Sequence, residues 1–401
     1  MNRLRRLPLS RLIGLVVAVV AVLGAGTALA AGALSGGGAK PPAKPLAQAL
    51  HDAATAPAVD GVSADIKFTN HLIDGASLAG GGTPLLTGAT GRLWAAPDGR
   101  VRLELQSDRG DAQIVSDGRT ATVYDASSNT AYAIALPADT GKSDKADAQQ
   151  PPTVARIQQL LGRLARRVDV NGAVPSNVAG REAYTVKLSP SHDGGLVGAA
   201  KLAWDAANGT PLRAAVYASG RPDPVLELTA THISFDKVAA SDLTAAIPSG
   251  AKVVKVDMGA QTADKQAPDH AKDVTGVRAV AAKLPFALKA PGTLVGLPRQ
   301  QVRLLAMDGK QGALVTYGAG LGGIAVVQTA AEPAKPADRQ AAPKGDRQGL
   351  ALPKISIPGT TGGQELATAL GTAVSFQRDG VQYAILGSVT PQAAEAAARG
   401  L

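Results

Sequence analysis

The side chains best suited to proton transfer or metal binding in this chain are five histidines, His51, His71, His192, His232 and His270. They are dispersed. None lies four residues from another and there is no His-Glu-x-x-His, so the spacing that lets one helix face hold zinc is missing. His232 sits in "LELTATHISF", where the apolar alternation changes phase, and reads as a bulge or a satisfied sheet histidine rather than a base. The chain has no cysteine. That excludes a thiolate nucleophile, a thiolate metal site, a disulfide and an acylated N-terminal cysteine. No Gly-x-Ser-x-Gly elbow is present. "GAGLGG" (318–323) echoes a dinucleotide loop, but it lies between two apolar strands instead of opening a helix, so it reads as a hairpin turn. Asp108 and Asp111 flank Arg-Gly and read as turn residues. No cofactor, metal or catalytic residue is expected, and the reading is of a protein that is not an enzyme.

With no reaction centre to position, the ordered elements themselves become the question. "VRLEL" (101–105) alternates: Val101, Leu103 and Leu105 point one way, Arg102 and Glu104 the other. "PDGR" (97–100) before it is a hairpin signal, and "QIVSDGRTATVYDASSNTAYAIAL" (113–136) reads as strand, Asp-Gly turn, strand, turn, strand. In "TAYAIAL", Tyr132, Ile134 and Leu136 share one face while Ala131, Ala133 and Ala135 share the other. Both faces are apolar, so each must be covered by a helix, another sheet or a ligand. A candidate cover is "PPTVARIQQLLGRLARR" (151–167). Thr153 is a suitable N-cap, and Val154, Ile157, Leu160, Leu161 and Leu164 form a stripe, with four arginines at its edge or outside it. Three readings stand: a helix packed as core, a movable lid over a greasy cavity, or a helix docking on a partner or an anionic membrane surface. Trp94 and Trp204 either line that cavity or pack as ordinary core.

The chain has 401 residues, 45% of them hydrophobic and only 3% aromatic, so Ala, Val, Leu and Ile must build most of the core. The net charge is +9. Four positive charges, Arg3, Arg5, Arg6 and Arg11, lie in residues 1–35, which contain no acid. The thin remaining surplus forms no basic stripe with interleaved aromatics, and no nucleic-acid partner is expected. The basic start is followed by an uncharged run, "LIGLVVAVVAVLGAGTALAAGAL" (12–34), which carries an Ala28-x-Ala30 cleavage pattern. The run is also long enough to span a bilayer. Residues 1–35 are therefore a signal peptide or a membrane anchor, and residues 36–401 are expected to be extracytoplasmic, either secreted or held at the cell membrane through 12–34.

Punctuation divides the rest. Residues 36–45 read as a linker, 46–54 as a short helix, 62–136 as strand-rich, 153–167 as a helix and about 178–256 as strands again. The first domain is placed at 46–257, a linker at 258–274 and a smaller unit at 275–401, whose insert 330–349 has no apolar period and is expected to be disordered. The last helix starts well, with Thr390 as cap and Pro391 in the first turn.

The order of these segments resembles the LolA/RseB superfamily of lipoprotein carriers and lipoprotein sensors. Gly91, Leu93 and Trp94 match the family's Gly-x-Leu-Trp; Ile114, Val115, Ser116, Asp117 and Gly118 match its Ile-Val-Ser-Asp-Gly; Tyr124 matches the next aromatic strand. "VAGREAYTVKLSP" (178–190), the turn at Asp205, Gly209, Pro211 and Leu212, and the Pro-x-Gly ending of 235–256 resemble its later strands. The likeness covers about 45–256. It implies an α+β fold: a curved antiparallel half-barrel with helices plugging its concave face, followed here by a smaller α+β domain that itself looks like a module found beside such domains. It also implies a non-enzymatic role, binding an acyl chain, lipid or acylated protein in a hydrophobic cavity. The alternative is an RseB-like regulator contacting a membrane partner such as an anti-sigma factor or a transporter. The cavity and lid residues implied are Trp94, Leu103, Leu105, Ile114, Tyr124, Tyr132, Ile134, Ile157, Leu161, Leu164, Tyr184, Val186 and Trp204. The carriers latch their lid with an arginine just after the Leu-Trp strand. Pro97 stands at that place, and Arg100 and Arg102 are the nearest substitutes.

Overall fold

The structure is a computed structural model. It describes residues 38–73, 84–108, 110–126, 129–136, 152–166, 168–191, 194–244, 247–256, 274–307, 310–331 and 352–401. The signal or anchor run, nearly all of the second linker and nearly all of the insert 330–349 lie outside them. Among the described residues no helix is long and apolar enough to cross a membrane. The chain forms two compact units, whose described parts are 38–191 with 199–256, and 194–198 with 274–401.

The fold is α+β. In the first unit, helix α1 (Leu46–Thr55) precedes β1 (Val62–Asn70), the short α2 (Pro84–Thr87), β2 (Ala89–Ala95), β3 (Val101–Ser107), β4 (Gly110–Ser116), β5 (Thr120–Asp125) and β6 (Thr130–Ala135). Then come α3 (Val154–Leu164), β7 (Val168–Val178), β8 (Arg181–Pro190), β9 (Val197–Asp205), β10 (Pro211–Ala218), β11 (Pro224–Ser234), a 3-10 turn at Ala240–Leu243 and β12 (Lys252–Val256). The strands make one large sheet in the order β12-β6-β5-β4-β3-β2-β1-β11-β10-β9-β8-β7. Hairpin neighbours run antiparallel, while β12 joins β6 in parallel. Local chemistry sets the turns. At the β4–β5 hairpin the Asp117 carboxylate accepts from the N–H groups of Arg119 (2.8 Å) and Thr120 (2.6 Å), and Gly118 takes φ +82°.

Register sorts the side chains into two layers. Ala64, Leu93, Leu103, Ile114, Val123 and Tyr132 stand opposite one another across six strands and share an inner face. Gly91, on that face, leaves no room for a Cβ, which would lie 1.8 Å from the Glu104 carbonyl oxygen. Asn70 donates from this face to the Leu85 carbonyl (2.7 Å), which seats α2 over β1, β3 and β4 with Leu85 and Leu86 buried. The opposite layer carries Asp65, Arg92, Arg102, Glu104 and Gln113. The phase change expected near His232 is there: Asp65 pairs with His232 and Ile66 with Ala230, leaving Thr231 as the bulge.

Two elements differ from the expectation. Strand β7 begins at Val168, ten residues before the expected return to strand structure. "VDVNGAVPSNV" hides it with Gly172, Pro175 and two asparagines, which an edge strand tolerates at a bulge, here between Asn171 and Val174. Residues 38–45, read as a linker, are held down: Asn177 donates to the Ala39 carbonyl (2.9 Å), the Tyr184 hydroxyl to the Pro42 carbonyl (2.6 Å), and Lys44 pairs with Asp52 (2.6 Å).

The second unit is a seven-stranded sheet in the order β13 (Thr293–Leu294), β14 (Leu297–Met307), β15 (Lys310–Tyr317), β16 (Ile324–Ala330), β19 (Val381–Gly387), β18 (Gly371–Arg378), β17 (Thr361–Thr368). "GAGLGG" is the hairpin turn between β15 and β16. One face buries Val315, Tyr317, Val326, Phe376, Tyr383 and Ile385 under α4 (Val277–Ala281) and α5 (Pro391–Arg399). Thr390 caps α5 by accepting from the Ala393 N–H, as its sequence predicts.

Candidate functional site

The candidate site is the apolar inner layer of the first unit and the helices upon it. Eleven of the thirteen residues expected to line a cavity fall into three groups. Leu103, Leu105, Ile114, Tyr132 and Ile134 lie on the inner face between β3 and β6, all buried except the half-buried Tyr132. Tyr184, Val186 and Trp204 form a second buried group on β8 and β9, with the two rings 6.2 Å apart. They belong to the same inner face. Their strand neighbours Ala199 and Lys201 meet Tyr217 and Ala215 instead, and Ala215 pairs with Glu227 on the outer face. Ile157, Leu161 and Leu164 are on α3; Ile157 and Leu161 pack on this second group together with Ala47, Ala49 and Leu50 of α1.

The other two residues are not on this face. Trp94 pairs with Arg102 and Ser63 in the outer layer, and the Arg102 guanidinium lies 5.3 Å from its ring. Tyr124 pairs with Gln113 on the same outer side, its hydroxyl donating to Asn129 (3.0 Å). In a strand, successive side chains point to opposite faces, so neither joins Leu103 and Ile114. The arginines nearest the lid-latch position do not reach a lid. Arg102 bonds Glu104 and donates to the Asp242 carbonyl (3.4 Å) in the outer 3-10 turn, and Arg100 pairs with Asp98.

Two concave features stand out among the described residues. One is a shallow cleft of about 380 Å³ bounded by Pro41, Pro42, Lys44, Arg181, Tyr184 and Asp205. The other, about 350 Å³, lies on the outer face around Asp65, Arg92, Trp94 and His232. In the first, Asp205 is buried against Arg181 (2.7 Å) and accepts from the Ala207 and Asn208 N–H groups, so it shapes the β9–β10 turn. Gly209 in that turn, at φ +74°, lets the chain pass Ala53 of α1; a Cβ would come 2.7 Å from the Ala53 carbonyl oxygen. In the second, Asp65 bridges Arg92 (3.3 Å) and an exposed His232 (3.8 Å) in open solvent.

The attachment of α3 is what distinguishes this end of the sheet. Thr153 caps the helix, accepting from the Arg156 N–H (3.3 Å), and His51 of α1 donates through Nδ1 to the Pro152 carbonyl (2.9 Å). Only Ile157 is fully buried. Val154, Leu161 and Leu164 are half-buried, and Leu160, expected on the packed stripe, is 48% exposed. Sequence reasoning missed α2 and the clamped segment 38–45. The signals were present in Leu85-Leu86 ahead of Gly88 and in Pro41-Pro42. Among the described residues no cluster of His, Asp or Glu could hold a metal ion.

No family model matches the chain, and no curated protein does. Among solved structures, MucB in complex with MucA(peri) is 18% identical, covering 88% of this chain and 94% of that one at a TM-score of 0.40. The MucA/MucB complex of Pseudomonas aeruginosa is 19% identical, covering 88% and 96% at a TM-score of 0.42. A putative outer membrane lipoprotein-sorting protein domain from Vibrio parahaemolyticus is 10% identical, covering 50% and 96% at a TM-score of 0.19. At such scores the likeness decides no function, and the packing of α3 carries more information.

Proposed function

We propose that the protein is an exported, membrane-associated binding protein without enzymatic activity. Its first unit takes up the acyl chain of a lipid or lipoprotein between the inner face of the sheet and α3. Residues 12–34 hold it at the cell membrane, or release it if the chain is cut after Ala30. The observation that supports this reading is the thin attachment of α3. Fully burying one aliphatic side chain is worth about 1.5–3 kcal/mol, and α3 buries only Ile157 fully. Each methylene of an acyl chain contributes about 0.8 kcal/mol on burial. A stretch of about eight methylenes, roughly 6 kcal/mol, is therefore enough to match the contact it displaces, in which Val154, Leu161 and Leu164 are only half-buried. Behind α3 the ligand meets Tyr184, Val186 and Trp204, an apolar wall with the Lys44 ammonium 5.9 Å from the Tyr184 ring.

The test uses the absence of native cysteine. His51→Cys with Pro152→Cys, joined by a short bismaleimide, pins the start of α3 to α1. Native mass spectrometry of residues 36–401, purified without detergent, is expected to show an acylated species, and a fluorescent acyl probe is expected to exchange with it. Pinning is expected to slow that exchange at least tenfold. An empty protein that takes up no probe refutes the reading, and so does exchange indifferent to the pin.

A second reading, a regulator that binds a membrane protein such as an anti-sigma factor or a transporter, is favoured by β12. This strand ends the sheet, and its Val253 is 61% exposed. An open strand edge accepts an added strand. A protein partner at constant stoichiometry, in place of lipid, in the same mass spectra would select it.

A further inference from the structure

We infer that the outward face of α3, formed by Arg156, Leu160, Arg163 and Arg166, rests on the anionic surface of the membrane that holds the chain. The inference depends on the proposal that residues 12–34 lie in the bilayer, and its test separates the two.

The face is unusual for water. Arg156, Arg163 and Arg166 are exposed, and Leu160 stands among them with 48% of its surface free. At 100° per residue, Arg156, Leu160 and Arg163 fall within about 60° of one another, and Ile157 and Leu161 lie about 60–160° round the helix from them. From Pro152 to Arg167 the sequence carries four arginines and no acid. Among the described residues, none of Arg156, Arg163 and Arg166 forms an ion pair, and Arg156 bonds only the Gln159 amide (3.0 Å). An apolar side chain ringed by guanidinium groups suits the boundary between headgroups and acyl chains: the apolar body enters while the arginines keep their charge at the phosphates.

The tether brings this face to a membrane. Residues 39–44 are clamped at the end of the sheet by Asn177, Tyr184 and Asp52. Three residues, 35–37, separate Leu34, the end of the apolar run, from Gly38. Fully extended, the four steps between them span about 14 Å. Helix α1 begins one residue after Pro45 and is about 15 Å long. Helix α3 packs beside it, joined through His51 and Pro152. The corner of the unit bearing α3 is therefore held within reach of the bilayer, and its α3 face offers clustered positive charge with an apolar centre. Each basic residue near an anionic surface strengthens attachment about fivefold. The attraction decays over about 8 Å at physiological salt, so it acts only on a face held this close. Docked there, the helix that covers Tyr184 and Trp204 would open toward lipid rather than toward water.

The test places single cysteines, each bearing an environment-sensitive fluorophore, at Leu160 and separately at Lys40 in the full chain. The protein is reconstituted in vesicles of phosphatidylcholine alone or mixed with phosphatidylglycerol, with doxyl-labelled lipid as quencher. Quenching at Lys40 in both vesicles, with quenching at Leu160 only in the anionic ones, is expected. The Leu160 signal should fall at least fivefold in Arg156→Gln/Arg163→Gln/Arg166→Gln and in high salt, with Lys40 unchanged. Lys40 quenched and Leu160 dark to quencher in anionic vesicles overturns the inference, keeps the anchor and leaves the face to a protein partner. Neither probe quenched overturns the anchor as well. Equal Leu160 quenching in both vesicles, untouched by the arginine substitutions, overturns the anionic surface as the occupant.

Discussion

The two sheets of this protein are covered in different ways. In the second unit α5 presents Ala394, Ala397 and Ala398, all fully buried, so its backbone lies close against β18 and β19. The cover continues along 284–290, where Gln328, itself fully buried, imitates a backbone pair by accepting from the Lys289 N–H (2.9 Å) and donating to its carbonyl (2.7 Å). Phe376 and Tyr383 stack beneath at 4.9 Å. In the first unit α3 uses larger residues to less effect, with one side chain fully buried and Leu160 turned out. Small residues in close packing leave nothing to displace, whereas leucines half in and half out leave a cover whose removal costs little. The unit with the looser cover is the better place to look for a ligand.

The largest test of that contrast is a pair of truncations. Phe376→Ala removes a fully buried ring and is expected to cost about 3–5 kcal/mol; Ile157→Ala should cost about 2 kcal/mol, the low end for buried aliphatics, because α3 settles into the space. Chemical denaturation followed separately at each unit, by the two tryptophans for the first and by hydrogen exchange of peptides from β16 to β19 for the second, measures both. Equal costs would break the contrast. A faster acyl-probe exchange in Ile157→Ala, with Phe376→Ala neutral in that assay, would sharpen it.

What could be read from the chain follows the same division. Alternation placed β3 to β5, because those strands have one buried and one polar face: Leu103 and Leu105 against Arg102 and Glu104; β6, apolar on both faces, was placed by the turn before it. Helix α1 was legible as a short helix, and α3 and α5 from their starts, with Thr153 and Thr390 capping as expected. The facing of single aromatics was not. Trp94 and Tyr124 look like cavity residues by type, yet register turns them outward, and register is set by the β2–β3 and β4–β5 turns rather than by the side chain itself. Nor does a strand pattern announce β7, whose glycine, proline and asparagines suit an edge. Leu160 shows the same limit in a helix: it lies on the margin of a wide stripe, and only the narrowness of the contact with α1 and β8 decides that it faces out.

The smallest expected effects are electrostatic, and they have opposite signs in the two units. In the first, hydrogen bonds from Lys44 and then Gln48 hold the Asp52 carboxyl below its ordinary value of 3.8. A lowered acid stabilises the fold above the unfolded value and loses that contribution as the pH falls through the folded one. In the second, burial, with the charge of Glu395 adding to it, lifts Glu365 above 4.5. There the protonated form is the favoured one: its contribution is complete below 4.5 and is lost as the pH rises through the folded value. One Glu365 carboxylate oxygen is buried without a hydrogen-bond partner, which is the physical reason the charge is unwelcome. Hydrogen exchange, expressed as protection relative to the parent chain, separates the two. Glu365→Gln should raise protection along β17 and β18 at pH 7 and leave it unchanged at pH 3. Asp52→Asn should lower protection over 38–55 at pH 7, with the difference closing in strong acid; because Lys44 and Asp52 are about one-third exposed, salt should shrink it further. A loss of protection in Glu365→Gln at neutral pH would mean that its carboxylate is satisfied after all, and the second unit would then be less completely closed than its packing indicates.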